Sequence, residues 1–535
     1  MMISDGCGYN HVDAASIYQH GKTDAQIYHL FPIQYGLSTY MSGGRYDPDR
    51  VWSQFTYVQS GYTDSAASAT ALSAGVKTYS GAIGVGTDRN PVKHMGERAE
   101  ELGKATGVVT SVEISHATPA GFVAHNTSRN NYEQIAREMI LDSKTDVIMG
   151  CGNPMFNDNG SPAVNSYQYV GGKAVWDGLV AGAADFDLNG DGTMDNSVED
   201  ADDDGVPDAW TLIQELPEFQ ALMSGPTPNR VIGVPQAYTT LQQKRSSSAF
   251  NENVPTLEEM TIAALNVLDN DPDGLLLMIE GGAVDWAGHS NQSMRMIEEE
   301  IDFNNSVAAV VDWVTLNSNW NETLVIVTGD HETGHLTGPG TGWQPIVNNG
   351  AGNLPGMKWN SGSHTNSLIP FYANGRGSDL FVSYADEIDP TRGAYIDSTE
   401  VAQAVFQLMD LPIANVDVVA VQPRGKLTTT LGEVRQTALQ SALLQNYPNP
   451  FNPETWIPYV LDEATEVEIR IHDISGALVR TLRLGQKAPG EYISKHEAEY
   501  WDGNNEMGER VASGVYFYSI RAGNFIDTKK MVIAE

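Results

Sequence analysis

The sequence has few cysteines and few basic residues for its length. Only Cys7 and Cys151 are present among 535 residues, which excludes a disulfide framework; two free thiols are favoured over a single bridge. Lys and Arg number 31 against 68 Asp and Glu, so the formal net charge is −37. Because such a surface repels polyanions, we expect no nucleic acid as a specific partner.

Long apolar runs are also absent. No run approaches the roughly 18 residues that a membrane helix needs, so we expect no transmembrane segment. Residues 1–3 have the pattern of the interior of an apolar strand, and no signal peptide is recognisable. We therefore expect a truncated N-terminus, with a natural start at Met1 as the alternative. Hydrophobic residues make up 41% of the chain, which is enough for a large core.

Short apolar runs alternate with helical patterns over the first 412 residues. The helical patterns cover 133–141 and 294–314. The runs are continuously apolar and end in polar residues, which is typical of strands buried on both faces; they lie at 107–112, 146–149, 275–279 and 324–328. The sequence therefore predicts an α/β fold, a three-layer α/β/α sandwich with a mostly parallel central sheet.

Composition changes divide the chain further. Residues 157–250 are rich in Gly, Asn and Asp, and we interpret them as an insertion within a main domain of residues 1–412. Residues 413–445 are interpreted as a linker. Residues 446–535 alternate short strands with turns, which predicts a C-terminal β-sandwich.

Residues of types that commonly bind metal ions follow several of the predicted strands. Asp285 and His289 are spaced i and i+4, which places them on one face of a helix. The others lie just after strands or in turns, where parallel sheets hold their ligands: Asp5, Glu280, Asp330, His331 and His364. Carboxylates and imidazoles without thiolates favour Zn²⁺, Mg²⁺ or Mn²⁺.

Ser65 begins a run of small residues that ends at Gly75 and has the pattern of a helix. The free N–H groups at a helix N-terminus favour an anion such as a phosphate ester. A role for Ser65 as a helix cap alone is the alternative. A metal ion beside the hydroxyl would favour nucleophilic chemistry, because serine must lose its proton to react.

Together these motifs resemble the alkaline phosphatase family, in order, along nearly all of residues 1–412. The run Asp64-Ser65-Ala66-Ala67-Ser68-Ala69-Thr70 is the most specific part of the resemblance. The other matching segments are 3–6, 117–120, 127–129, 280–289, 328–334 and 364–365.

The resemblance implies a role for each matching residue. Ser65 would be the nucleophile that becomes phosphoserine, and Arg129 would clamp two phosphate oxygens. Two Zn²⁺ and one Mg²⁺ would be bound. The first zinc would take Asp5, Asp330 and His331, the second Asp285, His289 and His364, and the magnesium Asp5, Thr118 and Glu280.

Two residues differ from those of the best-known enterobacterial member of the family. His116 occupies the position where that enzyme has an Asp beside the third metal ion, and Trp286 occupies the position where it has a Lys. With Asp64, we expect these residues to contact the substrate or to orient the ligands. The identity of the third metal stays open for this reason.

Two acidic loops within 187–208 fit the pattern D-x-[DN]-x-D-G-x-x-D, in which alternate oxygens and a Gly at the turn suit Ca²⁺. They resemble thrombospondin type-3 or dockerin-like calcium repeats, and a solvated acidic loop is the alternative. The candidate ligands are Asp187, Asn189, Asp191, Asp195, Asp200, Asp202, Asp204 and Asp208.

Residues 446–535 resemble the sorting and Ig-like domains of secreted bacterial proteins, including flagellar hook-capping types. The resemblance implies export through this domain and a secreted, periplasmic or cell-surface location; a passive β-sandwich is the alternative. Because many family members are dimers, the resemblance implies a homodimer; an insertion that alters or replaces that contact is the alternative.

The sequence as a whole predicts an alkaline phosphatase that hydrolyses a broad range of small phosphate monoesters. The first alternative is a phosphodiesterase or another hydrolase of the same superfamily. The second is a surface calcium-binding protein whose catalytic domain is inactive.

Overall fold

The computed structural model describes residues 1–183, 186, 208–410, 441–443, 446, 454–462, 464–473, 478–492, 498–506, 510–523 and 525–533. The chain forms two compact units, residues 1–414 and 415–535.

The first unit is built on a sheet of eleven strands, numbered here in chain order. They are β1 Met2–Ser4, β2 Ile33–Ser38, β3 Ala105–Glu113, β4 Val147–Cys151, β5 Thr211–Ile213, β6 Val231–Gly233, β7 Leu275–Gly281, β8 Leu324–Gly329, β9 Ile369–Gly375, β10 Glu387–Asp389 and β11 Gly393–Asp397. Their order across the sheet is β10-β11-β2-β9-β8-β1-β7-β3-β4-β6-β5. Two of these strands, β5 and β6, come from the segment 157–250, which therefore contributes to the main sheet.

The short strand β1 lies at the centre of the sheet. Ile3 pairs in parallel with Glu280 of β7 on one side and with Thr328 of β8 on the other. Only β9, which is antiparallel to β2 and β8, and β10, which is antiparallel to β11, interrupt the parallel arrangement. The carboxyl ends of β7, β1 and β8 consequently meet at one edge.

Helices cover both faces of the sheet. They are α1 Tyr9–His20, α2 Pro48–Ser53, α3 Ser65–Ala74, α4 Met95–Glu101, α5 Ala117–Ala120, α6 Tyr132–Arg137, α7 Lys173–Ala181, α8 Leu216–Leu222, α9 Leu257–Leu268, α10 Ala283–His289, α11 Ser293–Asn317, α12 Phe381–Tyr384 and α13 Ser398–Asp410. The helix expected over 133–141 is present, with α6 continued directly by a π-helical turn at Glu138–Asp142.

Alternate residues of each central strand enter opposite cores. Met2 and Val109 pack in one core, with residues of α1, α9 and α11. Ile3 and Val108 pack in the other, with residues of α3, α6 and α13. The sheet is therefore buried on both faces, and the predicted three-layer α/β/α architecture is confirmed.

The second unit is strand-rich and antiparallel. Its largest sheet joins Leu478–Lys487, Thr465–Asp473, Gly514–Ala522 and Phe525–Ile533 in that order. A second sheet joins Ala442–Leu443, Tyr459–Leu461 and Gly490–Tyr492, and a third joins Thr455–Ile457 and Glu499–Trp501. Ile469, Trp501 and Tyr518 lie in its hydrophobic core.

None of the helices in the described ranges combines the length and the hydrophobicity that crossing a membrane requires.

Candidate active site

Three buried carboxylates meet where the central strands end. Asp5 follows β1, Glu280 lies in β7 and Asp330 follows β8, and all three are fully buried. Burial raises the pKa of Asp5 well above its ordinary value, and the neighbouring carboxylates raise it further. Burial likewise raises the pKa of Glu280 and of Asp330 to about 7. This edge of the sheet therefore favours a bound cation.

Several oxygen atoms of these carboxylates have no hydrogen-bond partner among the described residues. They are both carboxylate oxygens of Asp5, Oε1 of Glu280 and Oδ2 of Asp330. Buried polar atoms are normally hydrogen-bonded, so atoms left unpaired in this way fit ligands of a metal ion.

The first group, the Asp330 cluster, consists of Asp5, Asp330 and His331. The backbone N–H groups of Gly6 and His331 donate to Oδ1 of Asp330 at 2.9 and 2.8 Å, which directs Oδ2 towards the cluster. His331 Nε2 lies 3.2 Å from Asp330 Oδ2 and 3.6 Å from Asp5 Oδ1. Burial lowers the pKa of His331 well below its ordinary value, so the ring is neutral and can act as a ligand.

The second group, the His289 cluster, consists of Asp285, His289 and His364. Asp285 and His289 lie on α10, and His364 lies in a short strand that pairs with Glu332–Thr333. Asp285 carboxylate oxygens lie 3.4 Å from His289 Nε2 and 3.5 Å from His364 Nε2. Carboxylate and imidazole ligands at such distances suit Zn²⁺.

The third group, the Glu280 cluster, is formed by Asp5 and Glu280 together with Thr118, whose hydroxyl interacts with Glu280 and lowers the pKa of that carboxyl. Thr118 Oγ1, in α5, is buried. Thr110 Oγ1 donates to Glu280 Oε2, which orients the carboxylate. A ring nitrogen of His116 lies within 4.8 Å of ligand oxygens of Asp5 and Glu280, so His116 is placed as a further ligand or neighbour.

Ser65 lies beside these clusters at the start of α3. Its Oγ is 3.3 Å from His331 Nε2, and its side chain is almost fully buried. The cap of α3 is Asp64, which accepts a hydrogen bond from the N–H of Ala67 at 3.2 Å. Ser65 is therefore not the capping residue, and its hydroxyl faces the metal-type ligands.

Arg129 faces the same space. Its guanidinium donates to Asp64 Oδ2 at 3.0 Å and lies 3.1 Å from His116 Nε2. The pair with Asp64 fixes the plane of the guanidinium, leaving further N–H groups for two oxygens of a phosphate.

The cavity over Ser65 has a volume of about 600 Å³. Ser65, Arg129, His289 and His364 line it, together with Trp286. Trp286 packs edge-on against His116, with ring centroids 5.8 Å apart. Gln243 and Lys244 also line the cavity. The sequence reasoning missed both, because no motif marks them within the segment 157–250.

Almost all of the candidate calcium ligands lie outside the described residues. Of the candidate ligands, only Asp208 is described; it accepts a hydrogen bond from Asn229 Nδ2 at 3.0 Å. The remaining ones lie outside the described ranges: Asp187, Asn189, Asp191, Asp195, Asp200, Asp202 and Asp204.

Two protein-family models match the chain. The family model described as "Alkaline phosphatase" matches residues 1–393. The chain belongs to the alkaline phosphatase family. A second model, described as "FlgD Ig-like domain", matches residues 452–524. The expected resemblances of both units are thereby confirmed.

Curated relatives include alkaline phosphatase 3 of Bacillus subtilis, 30% identical over 342 residues, which cover 62% of this chain and 60% of that protein. Alkaline phosphatase of Escherichia coli is 28% identical over 428 residues, covering 73% of this chain and 83% of that protein. The chain thus spans about 60% of the length of the Bacillus relative.

Solved structures share the fold of the first unit. The cold-active alkaline phosphatase from Shewanella sp. has a TM-score of 0.55 and 23% identity, covering 77% of this chain and 99% of that chain. The enzyme from the Antarctic bacterium TAB5 has a TM-score of 0.52 and 24% identity, covering 76% and 96% respectively.

Proposed function

We propose that this protein is an alkaline phosphatase that hydrolyses phosphate monoesters through a phosphoserine on Ser65. The observation that carries the proposal is the position of Ser65 Oγ, 3.3 Å from His331 Nε2 and beside two clusters of metal-type ligands. A serine at a helix N-terminus, next to an arginine and metal ligands, is suited to displacement at phosphorus.

The Asp330 cluster and the His289 cluster fit Zn²⁺, and the Glu280 cluster, with its hard oxygen ligands, fits Mg²⁺. A TAB5 alkaline phosphatase in which Asp replaces a His has Mg bound in its M3 site, so a protein of this fold can hold Mg²⁺. When bound, such ions would lower the pKa of the serine hydroxyl and neutralise charge on the phosphoryl oxygens.

The chain's own residues supply the rest of the reaction. Arg129 holds two phosphoryl oxygens while Asp64 fixes the guanidinium. Ser65 Oγ forms a bond to phosphorus as the ester P–O bond breaks, and the alcohol leaves with a proton. Water then attacks phosphorus from the side the alcohol left, Ser65 regains its proton, and inorganic phosphate departs. Two displacements retain the configuration at phosphorus.

We infer a broad range of monoester substrates, because Ser65 and Arg129 both act on the phosphoryl group rather than on the alcohol. The Glu280 cluster favours this activity over that of a phosphodiesterase, because diesterases of the superfamily usually lack a third-ion set. The buried ligands without hydrogen-bond partners argue against an inactive surface protein.

Hydrolysis of p-nitrophenyl phosphate and of bis(p-nitrophenyl) phosphate tests the proposal. We expect turnover of the monoester that chelation abolishes and that zinc with magnesium restores. Ser65→Ala should lower kcat by at least about a thousandfold, whereas Ser60→Ala, at an exposed serine, should not change it. Phosphate retained on Ser65 after an acid quench, detected by mass spectrometry, would identify the intermediate. Full activity of Ser65→Ala, or preference for the diester, would refute the proposal.

For the second unit, we propose that export machinery recognises residues 446–535 and that the protein is secreted, periplasmic or bound at the cell surface. The match to the FlgD Ig-like domain supports this. Deleting residues 446–535 and fractionating the producing bacterium tests this proposal, and normal export of the shortened protein would contradict it.

We also propose that residues 187–208 bind Ca²⁺, which a calcium titration tests. A homodimer is a further proposal, and the solution mass of the full chain tests it.

A further inference from the structure

A lysine from the segment 157–250 lies in the wall of the cavity over Ser65. Lys244 is exposed, whereas its neighbours Gln243 and Arg245 are buried. Arg245 pairs with Glu298 at 2.8 Å, and Gln243 Nε2 donates to Gln292 Oε1 at 2.9 Å. Because both neighbours are anchored to α11 or to the turn before it, the backbone of Lys244 has a fixed position at the cavity.

The ammonium group of Lys244 lies over the ring of Trp286, 4.2 Å from its centroid. Trp286 packs edge-on against His116, and His116 Nε2 faces Arg129 at 3.1 Å. Lys244 and Arg129 thus contact different rings of the Trp286–His116 pair. The cation–π contact places the positive charge of Lys244 on the face of Trp286, in the wall of the cavity.

Lys244 forms no ion pair within 4.0 Å among the described residues, whereas Arg129 pairs with Asp64 and Arg245 with Glu298. The buried carboxyl of Glu113 does interact electrostatically with Lys244, but burial raises the pKa of Glu113 to about 8, so this carboxyl is largely protonated at neutral pH and leaves the charge of Lys244 available to a ligand. The cavity, about 600 Å³, leaves room for the alcohol part of an ester beyond the phosphoryl group. A cation in that region would bind an anion on the alcohol.

We propose that Lys244 is a specificity-determining residue that binds a second anionic group, a carboxylate or a second phosphate, on the alcohol part of the substrate. The inference rests on the proposed phosphatase function and deepens it. Within a broad range of monoesters, the preferred substrates then carry a second negative charge a few ångströms from the ester oxygen.

A pair of matched esters, phenyl phosphate and 3-carboxyphenyl phosphate, tests the proposal on the full-length, metal-loaded protein. We expect Lys244→Gln to lower the ratio of kcat/KM for the carboxylated over the plain ester by about tenfold. Lys244→Arg should largely keep the ratio, because the charge remains. Lys173→Gln, at an exposed lysine of α7 in the same segment, should leave the ratio unchanged.

Equilibrium binding separates this proposal from the proposed function. In the Ser65→Ala background, calorimetry should show that Lys244→Gln weakens binding of the carboxylated ester and hardly affects the plain one. If Lys244→Gln weakens binding of both esters equally, Lys244 acts on the transferred phosphoryl group instead. If it changes the binding of neither ester, Lys244 serves only to pack on Trp286. Either result overturns the proposal. If the unaltered protein hydrolyses neither ester, the proposed function fails, and the binding comparison still decides the role of Lys244.

Discussion

The Nε2 atoms of His289 and His364 face each other at 3.0 Å. His289 Nδ1 lies 2.7 Å from the carbonyl oxygen of Gly362, and His364 Nδ1 lies 2.9 Å from that of Thr63. A carbonyl oxygen only accepts, so each Nδ1 carries the proton and donates it. Nε2 is then the atom of each ring that is left to coordinate a cation, and the two Nε2 atoms are close enough to share one.

We therefore predict that Zn²⁺ stabilises the protein and that His364→Ala removes most of this effect. Saturating zinc should raise the melting temperature of the chelated protein by at least about 5 °C, because a ligand that binds only the folded state stabilises it. Thermal unfolding with and without zinc measures the shift. His20→Ala, at an exposed histidine of α1, should keep the full shift. An equal shift in His364→Ala would show that zinc acts elsewhere.

Asp64 has two separable roles: it anchors the start of α3 by accepting from the N–H groups of Ala67 and Gly81, and it pairs with Arg129. Asn can cap a helix but carries no charge, so we predict that Asp64→Asn raises KM for p-nitrophenyl phosphate about tenfold with little loss of stability. Asp64→Ala should also lower the free energy of unfolding by about 1 kcal/mol. Kinetics together with urea unfolding separate the two roles. An unchanged KM in Asp64→Asn would mean that other contacts suffice to orient Arg129.

Gly6 has a φ of +75°, and a Cβ there would lie 2.7 Å from Asp285 Cα. We predict that Gly6→Ala displaces Asp285 and lowers kcat/KM by about 10- to 100-fold, with a matching loss of bound zinc. Gly43 has a φ of +79°, and a Cβ there would meet no atom within 4 Å, so Gly43→Ala separates backbone strain from the clash. Metal content and kcat/KM measure both variants. Equal losses in the two would assign the effect to strain.

The sequence was sufficient to predict that the strand-end carboxylates lie together, because continuous apolar runs mark buried strands and the residues after them share one edge. Asp5, Glu280 and Asp330 are brought together in this way. Lys244 could not be predicted, because its place depends on the tertiary anchoring of Gln243 and Arg245 rather than on a local pattern. The change from α-helix to a π-helical turn after Arg137 could not be predicted either, because the apolar periodicity continues through that turn.

Glu299 is a buried carboxylate of α11 outside the site, and its Oε1 has no hydrogen-bond partner among the described residues. Burial, together with the charges of Asp302 and Glu298, raises its pKa to about 8. Between the unfolded value of 4.5 and about 8, the folded protein keeps a proton that the unfolded chain releases. The contribution of Glu299 to the free energy of unfolding therefore falls as pH rises through this window.

We accordingly predict that Glu299→Gln is more stable than the unaltered protein at pH 9, by about 1–3 kcal/mol, and that the difference vanishes near pH 4. The amide has the shape of the protonated acid and cannot ionise, so the variant lacks the loss of stability between these values. Urea unfolding of both proteins at pH 4, 6 and 9 measures the effect. Glu322→Gln, at an exposed glutamate, should show no such pH-dependent gain. A constant difference at all three values would mean that Glu299 ionises alike in the folded and unfolded states.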